Sequence, residues 1–428
     1  MVRDDAAAIW TAGIRAVQPE SLVAARLAVD AAGRMLCGGR PLDPPVSLAE
    51  VDRIVVVGGG KAAAGLAAGI ERLLGPAAIE RHRVTGLVSV PEGCGRTLAR
   101  IEVRETRPAA ANLPTPAVVR ATLEMLDLVR SLGPRDLVIA VVTGGGSALL
   151  AAPREGATLD DKIALTRRLS ESGADIATLN AARRELSRVK GGGLARACMA
   201  GRLVVLAISD VVGDDLDVIA SGPCMPAAPH TGDGVWITPA GCRVSHLLLG
   251  TNATAVDAAA DEARRRGYDV AIRHAADPAT VSADAVGLRL AREALATCAS
   301  ASAPRALIEG GEATVTVPAD HGRGGRNQQT ALAAFAAVRS QCDCWPDGLL
   351  VASIGTDGED GPTDAAGGCI DAAVAAAIDR SQLDVPRALA RCDAQPLLDA
   401  AGGLVRTGPT GTNVADLRIV LVRRAAAG

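Results

Sequence analysis

Residues 54–65 constrain the fold more than any other stretch of this chain. Ile54-Val55-Val56-Val57 runs directly into Gly58-Gly59-Gly60-Lys61 and then Ala62-Ala63-Ala64-Gly65. A short β-branched run bounded by glycine reads as a strand buried on both faces, and the alanines read as a helix start. A strand that turns into a helix through three glycines fits a parallel sheet covered by helices. Such a turn lets the backbone approach a ligand, and the helix N-terminus favours an anion. Only three lysines, Lys61, Lys162 and Lys190, occur among 45 basic residues, and two of them border glycine triplets.

The same grammar recurs along the chain. Apolar runs at 84–90, 137–142, 203–208, 305–308, 349–354 and 417–422 read as strands, with weaker ones at 101–105, 247–250, 268–272 and 314–317. Helical spacing covers 4–36 as one or two helices, then 61–75, 117–131, 159–171, 174–187, 253–266, 281–299 and 327–339. This alternation predicts an α/β fold, twice over. The Pro- and Gly-rich stretch 226–242 marks the boundary, giving an N-terminal domain over 1–240 and a C-terminal domain over 241–428.

Composition narrows the function. The 428 residues carry a net charge of −3 and only three Trp, one Tyr and one Phe, so neither a polyanion footprint nor base stacking is expected, and nucleic acid is not an expected partner. No apolar run reaches membrane-spanning length, and the N-terminus lacks a signal-peptide core. Ten scattered cysteines in a chain without a leader predict a reducing, cytoplasmic setting. Five histidines form no ligand cluster, which argues against structural zinc.

The loops carry the chemistry. Gly59, Gly60 and Lys61 fail both the dinucleotide fingerprint and the Walker A spacing, because Lys61 stands where a small residue is usual and Ala62 follows it. Gly144, Gly145, Gly146 and Ser147 follow the strongest strand and can form an anion-binding nest. Asp210, Asp214 and Asp215 make an oxygen-rich loop suited to Mg²⁺, with Asp210 at a strand end suited to a general base. Asp357, Glu359, Asp360 and Asp364 repeat that theme. Arg323 and Arg326 lie in a mobile glycine loop at a helix start, and Thr410 and Asn413 in another donor-rich turn. Donor-rich loops, acidic sets and glycine-bordered cations together form the toolkit of phosphoryl transfer.

These segments resemble the class II D-glycerate 2-kinases, whose second domain is the type named multi-organism fragment with rich leucine. The matches run in order through Gly60-Lys61-Ala62-Ala63-Ala64, residues 143–150, residues 186–192, Ile208-Ser209-Asp210-Val211, Ala220-Ser221-Gly222-Pro223, Gly310-Gly311-Glu312, and residues 322–328, 355–367 and 407–416. The resemblance implies a Rossmann-like N-terminal domain, a smaller α/β C-terminal domain, and an active site in the cleft between them. It implies an ATP- and Mg²⁺-dependent kinase acting on D-glycerate, with Lys61, Asp210 and Arg326 in the active site. Three departures stand out: Asn112-Leu113-Pro114 replaces a Gly-His-Pro stretch, Gln329 replaces an acidic residue, and Cys392-Asp393-Ala394-Gln395 replaces Asn-Asp-Ser-Tyr.

The expected site is therefore Lys61, Asp210 and Arg326 as catalytic residues. Gly59, Gly60, Gly144, Gly145, Gly146, Ser147, Lys190, Thr410 and Asn413 are expected on ATP phosphates, and Asp210, Asp214, Asp357 and Asp360 on the metal. The rival readings are an NAD(P)H-dependent hydroxypyruvate reductase, against which the failed fingerprint counts, and a non-catalytic sugar-acid or nucleotide sensor. Assembly into a homodimer stays open.

Overall fold

The computed structural model describes residues 2–108, 113–171, 176–226, 236–275, 281–381 and 383–423. The backbone divides into two compact units. The N-terminal unit is Gln18–Thr251 with Gly411–Asn413; the C-terminal unit is Met1–Val17, Asn252–Thr410 and Val414–Gly428. This differs from a division at 240/241: the break falls at 251/252, the first helix, α1 (Val2–Ala16), groups with the C-terminal half, and three late residues group with the N-terminal half. Asn112 and most of the stretch 226–242 lie outside the described residues.

In the N-terminal unit, α2 (Pro19–Arg26) leads into a small antiparallel sheet of β1 (Leu27–Val29), β2 (Met35–Cys37) and β3 (Arg40–Pro41). Helix was expected as far as residue 36. Gly38 and Gly39, at φ 58° and 77°, instead form a two-residue hairpin turn that fixes β2 against β3.

The main sheet contains β4 (Ile54–Gly59), β5 (Thr85–Pro91), β6 (Ile101–Arg107), β7 (Leu137–Thr143), β8 (Arg202–Ile208), β9 (Trp236–Ile237) and β10 (Arg243–Gly250), in the order β6-β5-β4-β7-β8-β10-β9. All pairs are parallel except β10 with β9. The crossovers carry α3 (Ala63–Arg81), α4 (Pro116–Arg130), α5 (Gly146–Leu149), α6 (Leu159–Glu171), α7 (Ile176–Glu185) and α8 (Gly193–Ala197). Every residue of β4 and β7 is buried, as expected for strands covered on both faces. On one face Val55, Val57, Val138, Ala140 and Val142 pack against Ala121, Met125, Leu126 and Val129 of α4. From β4 the chain proceeds to β5 and β6 on one side, and from β7 to β8 and β10 on the other. The strand order therefore reverses between β4 and β7, the place where open α/β sheets bind ligands beyond the carboxyl ends of their strands.

The C-terminal unit is built on α9 (Asn252–Arg265), β11 (Asp269–Arg273), α10 (Ala283–Ser300), β12 (Arg305–Gly311), α11 (Arg326–Arg339), β13 (Leu349–Gly355), β14 (Gly367–Ile370), β15 (Leu404–Val405) and β16 (Asp416–Val422). The sheet order is β11-β12-β16-β13-β14-β15, parallel only between β11 and β12. The alternation along β16 assigns the faces. Leu417, Ile419 and Leu421 pack with α1 and α9, while Val420 and Val422 pack with α10 and α11. Ala6, Ile9 and Ile14 of α1 lie in the first of these clusters, which is why α1 belongs to this unit. The strand expected at 314–317 is reduced to one bridge between Thr314 and Ser282. Its would-be partner β16 begins at Asp416, opposite Gly311, so the residues after Gly311 have no continuing strand to pair with.

Candidate active site

In the N-terminal unit the turn after β4 is tied to both neighbouring strands. Gly60 N–H donates to the Ser89 carbonyl at 3.1 Å, Lys61 N–H to the Gly144 carbonyl at 2.9 Å, and Ala62 N–H to Thr143 Oγ1 at 3.2 Å. Gly60 has φ 142°, and a Cβ there would lie 2.0 Å from Thr143 Oγ1, so only glycine allows the two turns to touch. This fixes Lys61 beside the second glycine triplet, at the point where the strand order reverses.

Gly144 is equally crowded. A Cβ on it would lie 2.5 Å from Asp210 Oδ2 and 2.8 Å from Asn413 Nδ2, and Asn413 Nδ2 donates to Asp210 Oδ2 at 3.3 Å. Lys61, Gly144, Asp210 and Asn413 thus converge, although 352 positions separate the first from the last. Gly145, at φ 76°, caps α5, and no side chain caps that helix. The first N–H groups, at Gly146 and Ser147, have no acceptor among the described residues, as expected of an anion nest. Gly59, at the end of β4, is fully within the buried strand. Arg107 at the end of β6 is 3% exposed and brings Nη2 beside Gly145. The only sequence signal for it is an arginine at a strand end beside a proline.

Lys190 lies behind this triplet. It is 3% exposed, and Nζ donates to the Ser147 carbonyl at 2.8 Å and, more weakly, to the Ala220 carbonyl and Ser221 Oγ at 3.4 Å. Burial, with the charges of Lys162, Arg183 and Arg184 adding, holds its ammonium well below the usual lysine range. Ser147 Oγ and Ser221 Oγ are 3.0 Å apart. Ala220 and Ser221 both adopt positive φ, 52° and 63°, a costly arrangement for side-chain-bearing residues. Lys190 and this strained turn brace the loop that carries Ser147.

The C-terminal unit contributes a second charged cluster. Arg326 opens α11 and donates Nε to both oxygens of Asp416 at 3.0 Å and Nη1 to Glu312 Oε1 at 2.7 Å, while Nη2 faces Asp416 Oδ1 in an ion pair at 2.9 Å. Asp416 is fully buried and also accepts from Asn327 Nδ2 at 2.9 Å. Burial of the guanidinium opposes its charge, but the Asp416 and Glu312 carboxylates outweigh this and raise Arg326 further. Glu312 is itself pushed up, by burial and by the charges of Asp416 and Asp357. Three of the five guanidinium N–H groups are used, which leaves two for a ligand. Sequence reading missed Asp416 as the residue that aims Arg326. An aspartate at the start of an apolar strand carries no local mark of such a role.

Asp360 is 2% exposed, and its two oxygens accept Asn327 N–H at 3.0 Å and Gln328 N–H at 2.8 Å. It caps α11. Burial pushes its carboxyl up to about 6. The glycine loop before α11, expected to be mobile, is pinned: Gly322 N–H donates to the Arg391 carbonyl, Arg323 N–H to Asp393 Oδ1, and Gly325 packs on Asp360. Asp357 is half-buried, and Thr410 N–H donates to its carbonyl at 3.1 Å. The four carboxylates expected on one metal divide between the units, Asp210 and Asp214 in the N-terminal one, Asp357 and Asp360 in the C-terminal one. Among the described residues no three His, Cys, Asp or Glu side chains gather as metal ligands. Thr410 and Asn413 likewise fall in different units.

Residues 5–240 match the family described as a domain of unknown function, DUF4147, and residues 305–416 match the MOFRL family. A human protein named glycerate kinase is 33% identical across 98% of this chain and 93% of its own length. The chain belongs to the glycerate kinase family. A Thermotoga maritima member named D-glycerate 2-kinase is 35% identical over 87% of this chain and 91% of its own, and the crystal structure of a glycerate kinase from that organism superposes with a TM-score of 0.78 at 31% identity, covering 99% of both chains. An Agrobacterium vitis relative, 36% identical over 86% of this chain and 99% of its own, carries the provisional name hydroxypyruvate reductase. The mixed α/β, two-domain architecture is thus that of the glycerate kinase family. No helix among the described residues is long and apolar enough to cross a membrane.

Proposed function

We propose that this protein phosphorylates D-glycerate with ATP to give 2-phospho-D-glycerate and ADP, as the names of its relatives indicate for them. The observation that carries the reading is the convergence of Lys61, Asp210 and Asn413 on Gly144 at the reversal of the strand order. The order β6-β5-β4-β7-β8-β10 supports a Rossmann-like assignment for this sheet, and with it ligand binding at the carboxyl edge.

Phosphoryl transfer asks a protein mainly for positioning and charge neutralisation. The triplet Gly144–Gly146 with Ser147 offers backbone donors to ATP phosphates, and Lys190 holds that loop in place. Asp210 accepts the proton of the glycerate 2-hydroxyl as its oxygen attacks the γ-phosphorus and the bond to ADP breaks. Lys61 and Arg326 neutralise the glycerate carboxylate and the transferring phosphoryl group, Arg326 being pre-aimed by Asp416 and Glu312. Exclusion of water from the reacting groups would suppress ATP hydrolysis.

Mg²⁺ is commonly held by one or two carboxylates plus substrate phosphates, so the absence of a three-ligand cage suits it. One or two of Asp210, Asp214 and Asp357 would hold it together with substrate phosphates, and it would neutralise phosphate charge. Asp360, with both oxygens committed to α11, would not be among them.

The test is ADP formation by the purified protein, which should require both D-glycerate and Mg²⁺ and should vanish in Lys61→Ala. ADP release independent of glycerate, or full activity in that variant, would refute the assignment. Oxidation of NADH by hydroxypyruvate with the same sample would favour the reductase reading instead.

A further inference from the structure

Beside Ser147, α6 and α7 line a pocket of about 60 Å³, open to solvent, in the N-terminal unit. Lys162, Arg183 and Lys190 line it together with Ser147 and Thr166, and the rest of the wall is Leu, Ala and Pro. No carboxylate lines it among the described residues. Lys162 is 7% exposed and spends two donors on the carbonyls of Leu186, at 3.1 Å, and Arg183, at 3.5 Å. One ammonium N–H remains. The Arg183 guanidinium makes no ion pair with a described residue, while all three donors of Lys190 face protein oxygens.

Three cations around one small space repel one another unless something negative sits between them. Burial and the Arg183 charge bring Lys162 down to about 8, and burial lowers Arg183 as well. At roughly 10–15 Å³ for one water, this space holds about four waters or one tetrahedral oxyanion. Structural ion clusters in proteins normally carry their own counter-charge; here the described wall supplies none.

We propose that this pocket is a binding site for one phosphate-sized oxyanion, with Lys162 and Arg183 as direct donors and Lys190 bracing the wall from behind Ser147. The oxyanion is a phosphoryl group of the nucleotide or free inorganic phosphate. Its assignment to the nucleotide rests on the kinase reading above; the site itself does not.

The test is calorimetric titration of the full-length protein at pH 7 with inorganic phosphate, ADP and adenosine, for the wild type, Lys162→Met and Arg183→Gln, each checked for folding by its thermal melt. The wild type should bind phosphate, and both variants should bind it at least tenfold more weakly. At pH 8 the wild type should take up protons on binding, seen as a heat that depends on the buffer, because an anion raises a Lys162 that burial and Arg183 otherwise hold down. Weakening of ADP in parallel places a nucleotide phosphoryl group in the pocket; ADP unchanged assigns it to free phosphate. Phosphate binding that is absent in the wild type or equal in all three proteins overturns the site, as does a loss confined to adenosine. Glycerate-dependent ADP formation, measured separately, decides the kinase reading: a protein that lacks it and still binds phosphate through Lys162 keeps the site.

Discussion

Replacing Arg326 with alanine tests catalysis and folding at once, and the structure allows the two effects to be separated. Asp416 is fully buried and takes its main counter-charge from Arg326, at 2.9 to 3.0 Å. Deleting one partner of a buried pair costs about 3–5 kcal/mol, because the other charge is left stranded. Two features reduce that figure here. The Arg326 side chain is 32% exposed, and Arg418 Nη2 remains 3.6 Å from Asp416, with Asn327 and Ala313 still donating. The expected loss is therefore about 2–3 kcal/mol. Turnover should fall by roughly three orders of magnitude or more, the scale of a missing transition-state arginine. Adding Asp416→Asn removes the stranded charge, so the double variant should regain most of the stability and none of the activity. Urea unfolding followed by tryptophan fluorescence reports mainly on this unit, since Trp10 and Trp345 lie in it, Trp236 lies in the N-terminal unit, and Trp345 stacks on Phe335. An Arg326→Ala protein that unfolds at the wild-type urea concentration would refute the buried-pair argument. Recovery of turnover in the double variant would refute a catalytic role for Arg326.

Three further outcomes are expected. Gly60→Ala places a methyl group 2.0 Å from Thr143 Oγ1 and 2.7 Å from the Thr143 carbonyl, so strain and overpacking should cost about 2–4 kcal/mol and lower the melting temperature; a wild-type melt would show that the two turns can separate freely. Asp360 is raised from 3.8 to about 6, so the folded state keeps a proton that the unfolded chain loses, and stability should fall between about pH 4 and pH 6 by about 3 kcal/mol; melts of Asp360→Asn across that range should lose this slope, and an unchanged slope contradicts the assignment. Arg107→Gln should lower kcat/KM for ATP about tenfold, equivalent to about 1.4 kcal/mol of lost stabilisation, with the KM for glycerate nearly unchanged; equal losses for both substrates would point to a folding defect instead.

What could be read from the chain was local, and what could not was brought together by tertiary pairing. Val-rich runs followed by glycine mark β4 and β7 because burial on both faces and a tight exit each leave a signature within a few residues. The closeness of Asp210 and Asn413 to Gly144 has no such signature, since 203 positions separate the two side chains. Asp416 looks like an ordinary strand residue until β16 pairs with β12 and turns its carboxylate toward α11. The hairpin at Gly38 and Gly39 could have been read from turn chemistry, but the alanine-rich helical pattern preceding it dominated.

The two helix starts in these charged clusters are treated in opposite ways, and the contrast bears on which anion goes where. At α11 the positive end of the helix carries an arginine, an unfavourable pairing that Asp416, Glu312 and Asp360 offset. Because Asp360 occupies the N–H groups of Asn327 and Gln328, no backbone nest remains there, and recognition in that unit falls to the two free N–H groups of one rigid fork. At α5 no side chain caps the helix, and the glycines before Ser147 leave its backbone donors open. A polyphosphate gains most from many backbone donors, and a carboxylate or a single phosphoryl group gains most from a planar fork. On the proposed kinase reading, the nest after β7 would suit the nucleotide, and Arg326 glycerate or the phosphoryl group it receives. A variant that fills the nest, Gly145→Ala at φ 76°, should therefore raise the KM for ATP well before that for glycerate, and the reverse order in steady-state kinetics would overturn this division.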